Sequence, residues 1–276
     1  MRRHAALASA SPAAAGEAAG DGRLRPSRRA LRAQAVVVTE ASSRGGTVLA
    51  TLRSEPPLTL RRTGPDQVHL ISTAAGPLGG DHLELDIDVA AGTGLELRSV
   101  AAPLVLPGQG GPSRMIVNAR VGPGATLRFT PEPTILAAAC DHHLLVRLSL
   151  APTASVLWRE EIIFGRHGEA PGRCRTRFDA TIGGVPLLRQ QLAVGDPAVD
   201  TSPAVYGTAR CVGSTLLAGP AFTPPADRRP ATATIADGVA VLPLAAPGTL
   251  VSALAGDAVE LRRRLLWGEA VAAGAD

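Results

Sequence analysis

Three stretches of this chain can be laid on one another. Val89…Leu95, Val121…Leu127 and Leu150…Val156 each set two apolar residues six positions apart across a turn rich in Gly, Pro or Ala, at offsets of 32 and 29 residues. Period-two alternation flanks every copy, as in "LELDIDVAAGTGLELRSVAA", "MIVNARVGPGATLRFTPEP" and "LLVRLSLAPTASVLWREEIIF". Side chains that alternate in this way face opposite sides of a strand. A strand–turn–strand unit of about 30 residues cannot bury its own apolar face, so successive units must stack, with their turns along one edge.

Two further stretches carry hairpin signals. "AVVVTEASSRGGTVLATL" turns at Gly45-Gly46 and "RTRFDATIGGVPLLRQQL" at Gly183-Gly184. The expected fold is therefore mainly β: a layered, β-helix-like or solenoid-like stack of antiparallel and parallel strands. A single segment departs from period two. In "ALAGDAVELRRRLLWGE", Leu254, Ala258, Leu261 and Leu265 recur at helical spacing. Asp257 and Glu260 suit a capping start, Arg262 to Arg264 suit the negative end of a helix dipole, and Gly268 suits a stop. The spacing predicts a C-terminal amphipathic helix over about 256–267 that covers the sheet.

Composition matters for what this stack excludes. Aromatic residues make up only 3% of the chain, so the core must rest on aliphatic side chains. All 28 basic residues are Arg. No Schiff-base lysine is available, and no P-loop lysine can reach a nucleotide phosphate. The arginines are dispersed and stacking aromatics are scarce, which argues against nucleic acid as a partner. Cys140, Cys174 and Cys211 lie far apart without a C-x-x-C pair, as expected of free thiols in a reducing compartment. No run approaches the length of a membrane span. Residues 1–30 read as a disordered Ala/Arg-rich tail without a secretory apolar region, and 31–276 as one β domain in a soluble, cytoplasmic protein.

Candidate sites come from acids whose parity puts them on a hydrocarbon face. In "GPLGGDHLELDIDV", Leu83, Leu85, Ile87 and Val89 face one way, and Asp81 shares their parity. Gly79 and Gly80 before it permit unusual φ values or close backbone approach. In "WREEIIFGR", Glu160 falls with Trp158, Ile162 and Phe164, whereas Glu161 falls with Leu157, Arg159 and Ile163. Glu132 sits between Pro131 and Pro133, which supply no backbone donors. "CDHH" is a different case. Cys140 and His142 share a face roughly 6.6 Å apart, while His143 points the other way. Two ligands make only half of a tetrahedral site. The stretch reads as the polar start of a strand, with a transient nickel or zinc contact as the alternative.

Together these motifs resemble the urease accessory protein UreD family, called UreH in some organisms. "GPLGGDHLELDIDV" looks like its glycine-rich stretch ending in Asp, "TPEPTI" like its Pro-x-Pro-x-Ile motif, and "WREEIIFGRHGE" like its Trp-Glu…Gly-Arg segment, with Glu160, Gly165 and Arg166 at matching positions. "RTRFDATIGGVPLLRQQL" looks like its Gly-x-Pro-Leu hairpin. The resemblance covers about residues 32–267. Where the family usually carries a run with Lys and Tyr, this chain has "LRSVAAPLVLPG". The resemblance implies no catalytic activity and no permanently bound cofactor. It implies a scaffold that binds apo-urease subunits and, with a UreF-like protein and a UreG-like GTPase, supports GTP-dependent nickel insertion. Asp81 and Glu160 would then be transient Ni²⁺ contacts along an internal passage, with Glu132, Cys140 and His142 as secondary ones. Two readings stand beside it: a polysaccharide-acting β-solenoid enzyme, for which the chain has few aromatic platforms, and an interaction module with no role in metal handling.

Overall fold

A computed structural model describes residues 30–224 and 232–274. The tail expected over residues 1–30 lies, but for its last residue, outside them. In chain order, β1 (Arg32–Ala41) and β2 (Thr47–Arg53) form the first hairpin, and β3 (Leu58–Arg62) pairs antiparallel with β4 (Gln67–Ser72). Three stacked units follow, β5 (His82–Val89) to β6 (Gly94–Ser99), β8 (Ser113–Val121) to β9 (Thr126–Thr130), and β11 (Asp141–Leu150) to β12 (Ser155–Ile163). The short strands β7 (Leu104–Val105) and β10 (Thr134–Leu136) lie between them. β13 (Arg173–Ile182) and β14 (Val185–Val194) make the second hairpin, and a short α1 (Pro197–Asp200) leads on to β15 (Cys211–Ala218). β16 (Thr234–Ala236), β17 (Val239–Pro243), β18 (Gly248–Ala255) and α2 (Ala258–Ala272) complete the chain.

The strands form two sheets. One runs β14-β13-β11-β8-β5-β1-β2, and the other runs β16-β17-β18-β15-β12-β9-β6-β4-β3, with β10 pairing β12 and β7. Each repeat unit sends its first strand to one sheet and its second to the other, so the intervening turn crosses between layers instead of closing a hairpin. The sequence alignment is also the register. Val89 pairs with Val121 and Val121 with Leu150 in the first sheet, while Leu95 pairs with Leu127 and Leu127 with Val156 in the second. Leu150 pairs onward with Ile182, adding a rung that the repeat did not reveal.

The main core lies between the sheets and is built from the inward parity of both, including Leu85, Val89, Leu97, Leu127, Val146 and Trp158. A second apolar cluster lies on the opposite side of the second sheet, where Leu261 and Leu265 of α2 pack on Val241, Val251 and Ala253. Its central strands are therefore covered on both faces. β15 is buried at every position and β12 at all but two.

The helix differs from its expected limits. Asp257 caps it as anticipated, its Oδ1 accepting the Glu260 amide at 2.8 Å. Leu254, however, belongs to β18, and the helix continues through Gly268 to Ala272. Gly268 is a packing residue and not a stop. A Cβ there would fall 2.4 Å from Cγ1 of Val251, so the missing side chain is what lets the helix approach the sheet. Arg262 to Arg264 consequently lie mid-helix, away from the C-terminal dipole, and form ion pairs instead.

Candidate functional site

Opposite the middle of β12 the second sheet is interrupted. β9 covers β12 from Ser155 to Trp158, and β10 covers Ile162 and Ile163. Between Thr130 and Thr134 the chain reads Pro131-Glu132-Pro133, and neither proline has an amide to offer a ladder. Arg159, Glu160 and Glu161 thus lack a strand partner on that edge. On their other edge they pair with Thr215, Ser214 and Gly213 of β15.

A cavity of about 130 Å³ opens at this interruption, enough for several waters. Most of its wall is hydrocarbon, with Leu83, Met115, Phe129 and Leu144 among the lining residues. Trp158 stacks on Phe129 at 4.1 Å and meets Phe178 edge-on at 5.7 Å, which fixes the wall beside Glu160. The titratable residues of the lining are Asp81, Glu132, His142, Glu160 and Glu161.

These acids differ in how they are held. Asp81 is 3% exposed; its Oδ1 accepts the Leu31 amide and its Oδ2 the Leu78 amide, each at 2.9 Å. It ties the start of β1 to the glycine turn. Gly79 and Gly80 serve that turn by close approach, since a Cβ on either would fall 2.8 Å from the backbone of Gly108 or Gly110. Gly80 also has φ +89. Glu160, half-buried, lines the cavity. Burial pushes its carboxyl up to about 7, and a hydrogen bond from Trp158 Nε1 to Oε1 at 3.2 Å offsets this only in part. His142, 3% exposed, shares a 2.9 Å hydrogen bond with Ser113 Oγ. Burial first, and His143 second, lower its pKa to about 4, which leaves the imidazole neutral near neutrality.

Cys140 is not among the cavity's lining residues. It packs with Leu136, Phe164 and Cys174, and burial pushes its thiol up to about 11, well away from the thiolate that binds metals. Pro131 lines the cavity and Pro133 is buried beside it. Gly165 and Arg166 lie elsewhere, in the loop after β12. Gly165 adopts φ +82, and Arg166 pairs with Glu169 through Nε at 2.8 Å and Nη2 at 2.7 Å. The structure thus brings Asp81, Glu132, His142 and Glu160 to one cavity and leaves Cys140 and Arg166 outside it. No three His, Cys, Asp or Glu side chains among the described residues converge on a point where they could hold a metal ion.

Parity alone did not reveal the polar junction between β12 and α2. Arg159 Nε and Nη2 donate to Glu269 Oε1 and Oε2 at 2.8 and 2.6 Å, and Thr215 Oγ1 donates to Oε1 at 2.7 Å. Nearer the helix start, Arg262 Nε lies 2.6 Å from Glu161 Oε1, and Arg262 Nη2 donates to Glu132 Oε2 at 3.4 Å. Burial raises the Glu161 pKa, with Arg262 the chief opposing influence. The available signal was the Arg159-Glu160-Glu161 run. It puts charge on both faces of one strand, so each face needs a polar partner.

The described residues thus define a two-sheet β stack with an acid-lined cavity where the second sheet is interrupted. Comparison with known proteins gives a family. Residues 31–273 match the family model described as UreD urease accessory protein. Among similar proteins, the urease accessory protein UreD of Frankia casuarinae is 44% identical, covering 90% of this chain and 92% of its own length. That of Frankia alni is 43% identical, over 90% and 96%. That of Streptomyces avermitilis is 40% identical, over 85% and 95%. This chain belongs to the UreD urease accessory protein family. Membership assigns it an accessory role in urease maturation, not a catalytic one.

Proposed function

We propose that this protein is the nickel-delivery scaffold of a cytoplasmic urease maturation complex. It binds apo-urease subunits together with a UreF-like protein and a UreG-like GTPase, and the GTP chemistry belongs to that partner. The cavity is the passage through which Ni²⁺ crosses the scaffold. The observation that carries this reading is the placement of Asp81 and Glu160 on one mostly hydrocarbon cavity with no converged ligand set. Isolated carboxylates suit a cargo that must be released, because oxygen donors hold nickel loosely, whereas grouped Cys and His would retain it. Glu132 and the neutral His142 are further contacts along the same wall. A chain without lysine also has no P-loop of its own.

Deleting this chain from a urease-producing cell should leave the urease subunits present but poor in nickel, as metal analysis of the purified enzyme would report. The paired change Asp81→Asn with Glu160→Gln should lower urease activation at least about tenfold, the effect expected of losing two charge contacts to a divalent ion. Full activation by the paired variant would remove the passage from the proposal and leave an interaction module.

A further inference from the structure

Glu160 and Glu161 are adjacent on β12 and so point to opposite faces of the sheet, yet both line the same cavity. The cavity reaches both faces because the Pro131-Glu132-Pro133 break opens the ladder beside them. On the helix side Arg262 of α2 covers this window, set against Glu161 and the rim residue Glu132, while Arg159 of β12 acts on Glu161 from the same face and is held by Glu269.

The cover is poorly bonded. The Glu161 side chain is 0% exposed, and among the described residues neither of its carboxylate oxygens has an aligned hydrogen-bond donor. Arg262 Nε is also without an aligned acceptor although it lies 2.6 Å from Glu161 Oε1. The contact is a single off-line approach, not the bidentate geometry that makes Arg–carboxylate contacts strong. The Arg262 side chain is 30% exposed, so its guanidinium can turn into water at the cost of one contact that holds this turn of the helix to the sheet. A fully buried carboxylate with unfilled acceptor sites, open to a cavity, is a place for an oxygen-preferring cation.

We propose that Arg262 is a tethered counter-cation that closes this window, and that a divalent cation leaving the cavity takes the oxygens of Glu161 and Glu132 while the guanidinium swings into solvent. This rests on the reading of the cavity as a nickel passage and adds its exit. In the resting protein the window is closed to cations by like charge, so emptying is coupled to movement of one side chain on α2.

The test is equilibrium dialysis of NiCl₂ against the purified full chain at pH 8. Arg262→Gln should retain Ni²⁺ about tenfold more tightly than the unaltered protein, as expected on removing one competing positive charge. Arg262→Lys should bind as the unaltered protein does, and Glu161→Gln added to Arg262→Gln should abolish the gain. In the unaltered protein, saturating NiCl₂ should speed amide exchange several-fold around residues 261–265, a reading that needs no variant to fold. Unchanged Ni²⁺ retention in a folded Arg262→Gln protein, or unchanged exchange with NiCl₂, overturns the gate. The two proposals fail separately. A silent Arg262→Gln with poor urease activation by the Asp81 and Glu160 variants removes the gate and keeps the passage. Tight retention in Arg262→Gln with normal activation by those variants keeps the cation site at the window and removes the passage.

Discussion

Two arginine–glutamate pairs fasten α2 to β12, and they are built differently. Arg159 and Glu269 meet through two short, aligned hydrogen bonds, with Thr215 filling a third site and both side chains only 9% and 11% exposed. Arg262 and Glu161 lie equally close, but without aligned geometry and with the arginine partly in water. Both reach residues of β12 that have no partner on the β9 and β10 edge, but Thr215 of β15 completes the first pair, whereas the second borders the cavity beside Glu132. A well-satisfied buried pair fixes position, and an under-satisfied one beside a cavity can be exchanged. The difference teaches that the helix is anchored at one end and merely covers at the other.

The largest expected effect breaks the anchored end. Arg159→Ala leaves the buried Glu269 with Thr215 as its one side-chain donor among the described residues, and removal of one partner from a buried pair costs about 3–5 kcal/mol. Urea unfolding followed by circular dichroism should show a loss of that size. A loss below about 1 kcal/mol, the range of exposed pairs, would show that the two junctions are energetically alike.

Next comes a change inside the cavity that both junctions border. Burial raises the Glu160 carboxyl to about 7 from an ordinary 4.5. Between those values the folded chain holds a proton that the unfolded chain has lost, so this group lowers stability as pH rises through the interval. His142 acts in the opposite sense. Its pKa falls from 6.5 to about 4, so it adds stability as pH rises from about 4 to 6.5. The two slopes oppose one another where they overlap. Glu160→Gln should therefore stabilise the protein by about 2 kcal/mol at pH 8, leave it nearly unchanged below pH ~4.5, and expose the His142 slope between. Stability curves that are parallel across pH would show that Glu160 titrates as an ordinary exposed acid.

The stack itself was legible because its evidence is local and periodic. Val89, Val121 and Leu150 aligned in sequence are neighbours in the first sheet, and the parity that put Asp81 and Glu160 inward holds in space. What parity could not supply was the cover on the other face of β12. That cover comes from α2, roughly a hundred residues later, and its arginines look from sequence like dipole partners. Only the distance between Arg262 and Glu161 reveals them as counter-ions. Gly268 is ambiguous in sequence for the same reason. A helix-ending glycine and one needed for close approach to Val251 share a letter, and the difference lies in a neighbour brought in by the tertiary fold. Cys140 and His142 share strand parity, yet their surroundings part at the strand's entry, where Ala139 takes φ 60 and Cys140 turns toward Cys174.

The smallest expected effect falls on the covering end. Arg262→Gln should cost no more than about 1 kcal/mol near pH 5, even though Glu161 is wholly buried. Burial already raises the Glu161 pKa, and losing the guanidinium that opposes this raises it further. As pH falls the carboxyl takes up its proton in both proteins, and the difference between variant and parent shrinks. As pH rises the folded variant must hold a proton or carry an uncompensated charge, so its deficit grows toward pH 8. Arg159→Ala instead removes two aligned hydrogen bonds from a buried junction at either pH. Unfolding curves for both variants at pH 5 and pH 8 separate the cases. A deficit for Arg262→Gln that is large and independent of pH would make Arg262 a second anchor and erase the contrast between the two ends of the helix.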